Sequence, residues 1–86
     1  MRKRQVNVAD RLGLHARMAA KIVQAASRFK CSISLAVNGR SANARHILAV
    51  MLLAASVGSA ILIETDGADE AEALEALTTL IGNQSA

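Results

Sequence analysis

The sequence predicts an α+β fold, a four-stranded sheet with one face covered by helices and the other face wetter. Three observations carry this. The elements run in the order β-α-β-β-α-β-α, a split βαβ pattern with an extra terminal helix. Apolar residues alternate with period two in the strand segments and recur at three and four residues in the helical ones. The 86 residues allow one small domain, residues 1–86, without repeat, linker or low-complexity segment.

Each element has its own signal. Gln5-Val6-Asn7-Val8 alternates and reads as a strand with Val6 and Val8 inward. Asp10 to Leu14 is a loop, in which Gly13 supplies backbone freedom. A helix is predicted from about Ala16 to Ser27, with Ala19, Ile22, Val23, Ala26 and Phe29 facing a core. Ala16, Ala20, Lys21 and Gln24 fall on its other side. Cys31, Ile33, Leu35 and Val37 share one face of a second strand. Asn38-Gly39 is a type I′ hairpin signal, and Arg40 to Ala44 returns as a short polar strand suited to a sheet edge. His46 to Leu53 is a short helix, apolar almost all round, whose core stripe would be Ile47, Val50, Met51 and Ala54. Leu48 and Leu52 exceed what a core needs, and read either as denser packing or as a partner patch. Ala60 to Thr65 is apolar enough for a central strand. Asp69 and Glu72 have capping-box spacing. Ala71, Leu74, Leu77, Thr78 and Ile81 form the inward stripe of the last helix, which Gly82-Asn83 ends.

Composition narrows the function classes. Phe29 is the only aromatic residue, so the core must be aliphatic. A single cysteine, Cys31, rules out an internal disulfide and fits a buried hydrophobe in a reducing compartment. Met1-Arg2-Lys3-Arg4 has the charge of a signal-peptide start, but no apolar stretch follows it. The uncharged run from Ile47 to Ile63 is interrupted by Ser56, Gly58 and Ser59 and reads as helix, turn and strand rather than a membrane span. The expected location is cytoplasmic. All ten Lys and Arg lie in residues 1–45, where Asp10 is the only acid; the other six acids follow from Glu64 to Glu75. The first part therefore carries +9 and the rest −6, a field suited to an acidic or phosphorylated partner. Nucleic acid is the competing partner, disfavoured by the lack of aromatic stacking groups and of a reading motif. His15, His46 and Cys31 have no metal-ligand spacing, and neither a Gly-rich phosphate loop nor a Ser-His-Asp arrangement is present.

The chemistry concentrates in Gly13-Leu14-His15-Ala16-Arg17. His15 falls at the N-cap of the first helix, where the N–H groups have no intrahelical partner and the helix dipole is positive. An anion attached to the ring would find those donors ready, and the Arg17 guanidinium adds a forked clamp for phosphate oxygens. His46, before the second helix, has no chemical company and reads as structural.

Gly13-Leu14-His15-Ala16-Arg17 resembles the active-site loop of the histidine-containing phosphocarrier proteins, the HPr family of the phosphoenolpyruvate-dependent phosphotransferase system. Asn38-Gly39-Arg40-Ser41-Ala42 resembles the family's second hairpin and Asp69-Glu70-Ala71 the start of its last helix. The resemblance implies an open-faced β-sandwich, a four-stranded antiparallel sheet with three helices on one face. It implies a carrier rather than an enzyme acting on a free metabolite, with no cofactor. His15 would accept a phosphoryl group at Nδ1 from enzyme I and pass it to a IIA-type domain. Arg17 and the N–H groups of Ala16 and Arg17 would hold the group. Ala20, Lys21, Gln24, Ile47, Leu48, Met51 and Leu52 would form the docking face of a monomer. The alternative is a regulatory interaction protein on the same scaffold, such as a nitrogen-branch carrier. Met18 stands where the family usually has proline, a residue suited to the first helical turn. His46 stands where some members have a serine phosphorylated by a kinase, so that switch is not expected in this chain.

Overall fold

Seven elements follow one another in the computed structural model, which describes residues 1–82: β1 (Arg2–Asn7), α1 (Ala16–Ala26), β2 (Ser32–Val37), β3 (Arg40–Asn43), α2 (Ile47–Leu52), β4 (Ala60–Asp66) and α3 (Glu70–Gly82). The strands form one antiparallel sheet in the order β1-β4-β2-β3. The apolar β4 is central because it has buried residues to present to both neighbours. Ile61 lies opposite Val6 of β1, and Ile63 opposite Leu35 of β2. These side chains point to the helix-covered face; Leu62 and Glu64, pointing the other way, are only half-buried. α3 packs on β1 and β4, α2 on β3, and α1 touches both other helices. The largest fully buried side chains are Ile22, Leu35, Ile61, Ile63, Leu77, Ile81, Val50 and Thr65, so the core is aliphatic as composition required. The one polar member, Thr65, donates its hydroxyl to the Glu70 carbonyl at 2.9 Å, which satisfies it.

The β2–β3 turn has φ of 50° at Asn38 and 81° at Gly39, the pair of positive values a type I′ turn requires. β3 is an edge strand, and only Ala42 in it is buried.

Several sequence expectations need correction. β1 begins at Arg2 rather than Gln5, so the basic start of the chain is strand. Pairing with β4 and ion pairs to α3 explain this: Arg4 Nη1 lies 2.9 Å from Glu75 Oε1, and Arg2 Nε 3.6 Å from Glu70 Oε2. Part of the charge asymmetry is thereby neutralised within the molecule. In α1 the buried stripe is Met18, Ala19, Ile22 and Ala26, while Val23 and Phe29 are half-buried. In α2 only Val50 is fully inside, helped by Leu53 just beyond the helix; Ile47 is exposed, and Ala54 is an exposed residue with φ of 54°. Six residues make under two turns, so the predicted stripe is too short to be buried along its length. In α3, Ala73 is buried with Leu74, Leu77 and Ile81, whereas Ala71 and Thr78 are half-buried. α3 continues through Gly82; the expected stop at Asn83 lies outside the described residues.

The capping box of α3 is not formed. Asp69 instead accepts hydrogen bonds from the backbone N–H groups of Lys30 (2.8 Å) and Cys31 (2.9 Å), tying the start of α3 to the start of β2. Glu70 takes over at the turn, accepting from the Gly67 N–H at 3.1 Å. These backbone donors hold both carboxyl groups below their ordinary range. A carboxylate depressed in the folded state stabilises fully above its unfolded value, near pH 4, and loses that contribution as pH falls through the folded value. The melting temperature is therefore expected to fall on acidification below about pH 4. In Asp69→Asn that acid limb should be shallower, because the amide does not titrate across this range. Thermal melts of both proteins from pH 7 to 2 check this.

Met18 changes the expectation drawn from its family position. It is only 3% exposed and belongs to the core cluster. Its N–H precedes the first intrahelical bond, Ala19 N–H to the His15 carbonyl, so proline would remove no hydrogen bond. It would, however, empty part of a filled site. Loss of buried methylenes and the thioether outweighs the stiffening of the unfolded chain, so Met18→Pro is expected to lower stability by about 1–2 kcal/mol rather than raise it. A urea titration reads the sign directly.

Candidate functional site

The site begins with the loop that leaves β1. Asp10 forms a local turn: its Oδ1 accepts from the Leu12 N–H at 2.8 Å and its carbonyl from the Gly13 N–H at 2.9 Å. Gly13 has φ of +68° and is pressed on the neighbouring segment. A Cβ there would collide with the Ala55 carbonyl oxygen and stand 2.9 Å from Ser56 Cα. Leu14 then donates its N–H to the Ala55 carbonyl at 2.9 Å and buries its side chain. The two anchors, one to the loop itself and one to residues 55–56, place His15 at the N-cap of α1.

His15 has extended backbone, φ −77° and ψ 176°, and its side chain makes no capping bond. The ring is turned instead toward Asp10. Nε2 is shut off from solvent and makes no hydrogen bond, yet faces Asp10 Oδ2 at 3.4 Å. Nδ1 is not shut off in this way and has no hydrogen-bond partner among the described residues, so it is the nitrogen left available. The Leu12 N–H, and behind it the His15 ring, hold the Asp10 carboxyl below the usual carboxylate range. The backbone N–H groups of Ala16 and Arg17 are free of intrahelical partners, since bonding in α1 starts with Ala19.

The structure brings His15, Ala16 and Arg17 together at one helix end. The Arg17 side chain is exposed and makes no hydrogen bond or ion pair among the described residues; Lys21, one turn on, is exposed and acts on the Asp10 carboxylate at longer range; Gln24 is exposed and Ala20 half-buried. On the adjoining α2, Leu48 and Leu52 are 69% and 71% exposed and Ile47 is 40% exposed. The surplus apolar residues of α2 thus lie on the surface rather than in denser packing. Met51 differs, being half-buried and packed on the core. Basic α1, which starts just after His15, and apolar α2 pack against each other.

His46 is the exposed N-cap of α2 and makes no side-chain cap. Cys31 is buried, and burial pushes its thiol up, away from thiolate chemistry. A shallow groove between β3 and α2, lined by Arg40, Ser41, Ala49, Leu52 and Leu53, contains none of the His15 loop. Among the described residues no helix is long and apolar enough to cross a membrane.

Sequence reasoning passed over Asp10 as a loop residue. The available signal was Asp10-Arg11-Leu12-Gly13: an aspartate two residues before an N–H it can accept, with glycine closing the turn.

Comparison with known proteins gives a consistent result. The family model described as "PTS HPr component phosphorylation site" matches residues 2–83. The phosphocarrier protein HPr of Cupriavidus necator is 45% identical over 84 residues, covering 98% of this chain and 94% of that protein. HPr of Neisseria meningitidis is 47% identical over 81 residues, covering 94% and 91%. Among solved structures, the phosphocarrier protein HPr of Bacillus anthracis superposes with a TM-score of 0.90 at 42% identity, covering 93% of this chain and 95% of that one.

Proposed function

This chain belongs to the HPr family of phosphotransferase-system phosphocarriers, and from that premise we propose that His15 accepts a phosphoryl group at Nδ1 from phosphorylated enzyme I and passes it to a IIA-type domain. The observation that carries the reading is the ring itself. One nitrogen is buried against Asp10, and the other is open at a helix N-terminus whose first N–H groups are free.

In the proposed step the Nδ1 lone pair attacks phosphorus while the bond from phosphorus to the donor breaks, its electron pair returning to the donor. The phosphoryl group is then bound to Nδ1, and the ring keeps its Nε2 proton. Transfer onward reverses the roles: the acceptor attacks, and the P–Nδ1 electron pair returns to the ring. Such transfer needs in-line placement and charge stabilisation, with little covalent help from other side chains. The Ala16 and Arg17 N–H groups and the helix dipole supply fixed partial positive charge. Arg17, without another partner, swings its guanidinium to the phosphoryl oxygens. Partner proteins complete the site, docking on Ala20, Lys21 and Gln24 of α1 and on Ile47, Leu48 and Leu52 of α2, with Met51 beneath. The exposed Arg17 and Lys21 beside apolar Leu48 and Leu52 fit partners that are acidic around an apolar centre. We place this carrier in the cytoplasm, acting as a monomer without cofactor.

Incubation with enzyme I and phosphoenolpyruvate tests the reading. Acid-labile phosphate mapping to Nδ1 of His15 is the expected result, and none on this histidine would refute it. Arg17→Lys keeps the charge but loses the fork. It is expected to slow transfer in both directions by about tenfold with the melting temperature unchanged. Equal transfer rates would reduce Arg17 to a solvated cation.

A further inference from the structure

We propose that Asp10 is a positioning residue for this reaction: its carboxylate holds His15 in the tautomer protonated at Nε2, which leaves the Nδ1 lone pair free to accept the phosphoryl group. The inference rests on the reading of His15 as phosphoryl acceptor and adds what makes one of its nitrogens the nucleophile.

Geometry carries it. Nε2 is a buried polar atom without a hydrogen bond, and such an atom has a cost unless something compensates it. The group facing it is Asp10 Oδ2 at 3.4 Å. An ionised carboxylate only accepts hydrogen bonds, so a proton on Nε2 is favoured there and a bare lone pair is repelled. The 3.4 Å separation is loose for a hydrogen bond, as catalytic contacts often are before the reactive complex forms. Asp10 is itself fixed: Oδ1 is occupied by the Leu12 N–H at 2.8 Å and the backbone carbonyl by the Gly13 N–H at 2.9 Å. The carboxylate plane is thereby set by the loop, and Oδ2 is the oxygen presented to the ring. A neutral imidazole has one donor and one acceptor nitrogen, and the partner of the first decides which is the second. The same division of labour operates in serine proteases, where an aspartate holds the histidine tautomer without itself accepting the proton.

Charge adds a second effect. When Nδ1 bonds to phosphorus and Nε2 keeps its proton, the ring becomes cationic at the positive end of α1. The Asp10 carboxylate offsets that cation at the atom where it sits. Lys21 on α1 is the nearby cation that acts on the same carboxylate.

Asp10→Asn separates these roles from a structural one. The loop turn needs an oxygen to accept from Leu12 N–H, and the asparagine amide provides it. Its NH2 group then takes the place of Oδ2 and presents donors to Nε2. The tautomer preference should invert. In a His46→Gln background one imidazole remains, and 15N NMR at alkaline pH reads its tautomer without any partner protein. The wild-type loop should show protonated Nε2 and bare Nδ1. Asp10→Asn should move a major part of the population to protonated Nδ1, with the melting temperature held within a few degrees. Acceptance of phosphate from enzyme I should fall about tenfold. An unchanged tautomer overturns the proposal, and so does an inverted tautomer with an unchanged rate of acceptance. If wild-type His15 accepts no phosphate, the reading of the site as a carrier fails instead, while the NMR result still judges the Asp10–His15 contact on its own.

Discussion

His15→Ala is expected to abolish phosphoryl acceptance while leaving the fold intact. The two halves of this expectation have separate causes. Acceptance requires a nitrogen lone pair at the helix N-terminus, and no other residue of the loop offers one. The fold does not depend on the ring, because it makes no capping bond and leaves Nε2 buried without a hydrogen bond. The ring is partly exposed and its contact from Nε2 to Asp10 Oδ2 is loose at 3.4 Å, so the stability change should stay within about 1 kcal/mol. Acid-labile phosphate after incubation with enzyme I and phosphoenolpyruvate, measured with a thermal melt of the same sample, tests both halves. Acceptance by the alanine variant at the wild-type rate would move the acceptor elsewhere, His46 being the other imidazole.

Gly13→Ala is expected to damage both stability and transfer. Two independent penalties meet at this residue. Its φ of +68° is left-handed, which costs an alanine about 1–2 kcal/mol. The added Cβ would also run into the Ala55 carbonyl, the acceptor that anchors Leu14. The loop must move away, and the Leu14 bond weakens with it. A total loss of at least about 2 kcal/mol follows, or a fall of roughly 10 °C or more in a domain of this size. Because His15 is two residues on, the displaced loop carries the ring off its alignment, and transfer should slow even well below the melting temperature. Alanine at Gly39 is the control: its φ of +81° is also left-handed, but a Cβ there meets nothing within 4 Å. That variant should cost less stability and leave transfer unchanged. Equal damage from the two substitutions would mean that contact with residues 55–56 does not hold the site.

The elements, their order and the chemistry-bearing stretch are legible in the order of the residues alone. Period-two alternation in Cys31 to Val37 and the Asn38-Gly39 turn are local: side-chain alternation and positive φ are properties of a few adjacent residues. The aliphatic character of Ile61 and Ile63 was enough to place β4 at the sheet centre. His15 and Arg17 could be located at a helix start because caps are local as well. What needed tertiary structure were the contacts between residues far apart in the chain. Met18 reads as a substitute for proline until α1 packs and buries it. Asp69 and Glu72 have the spacing of a cap, yet Asp69 answers two N–H groups 38 and 39 residues away because β2 starts beside it. The basic first strand looks free to attract a partner until Glu70 and Glu75 are folded against it. Leu48 and Leu52 could not be assigned to core or surface, since a helix of under two turns buries whichever side its neighbours choose. Asp10 belongs with these. Its turn is written locally, but the aim of its second oxygen depends on where α1 presents the ring, and that orientation is set by Gly13 and Leu14 lying against residues 55–56.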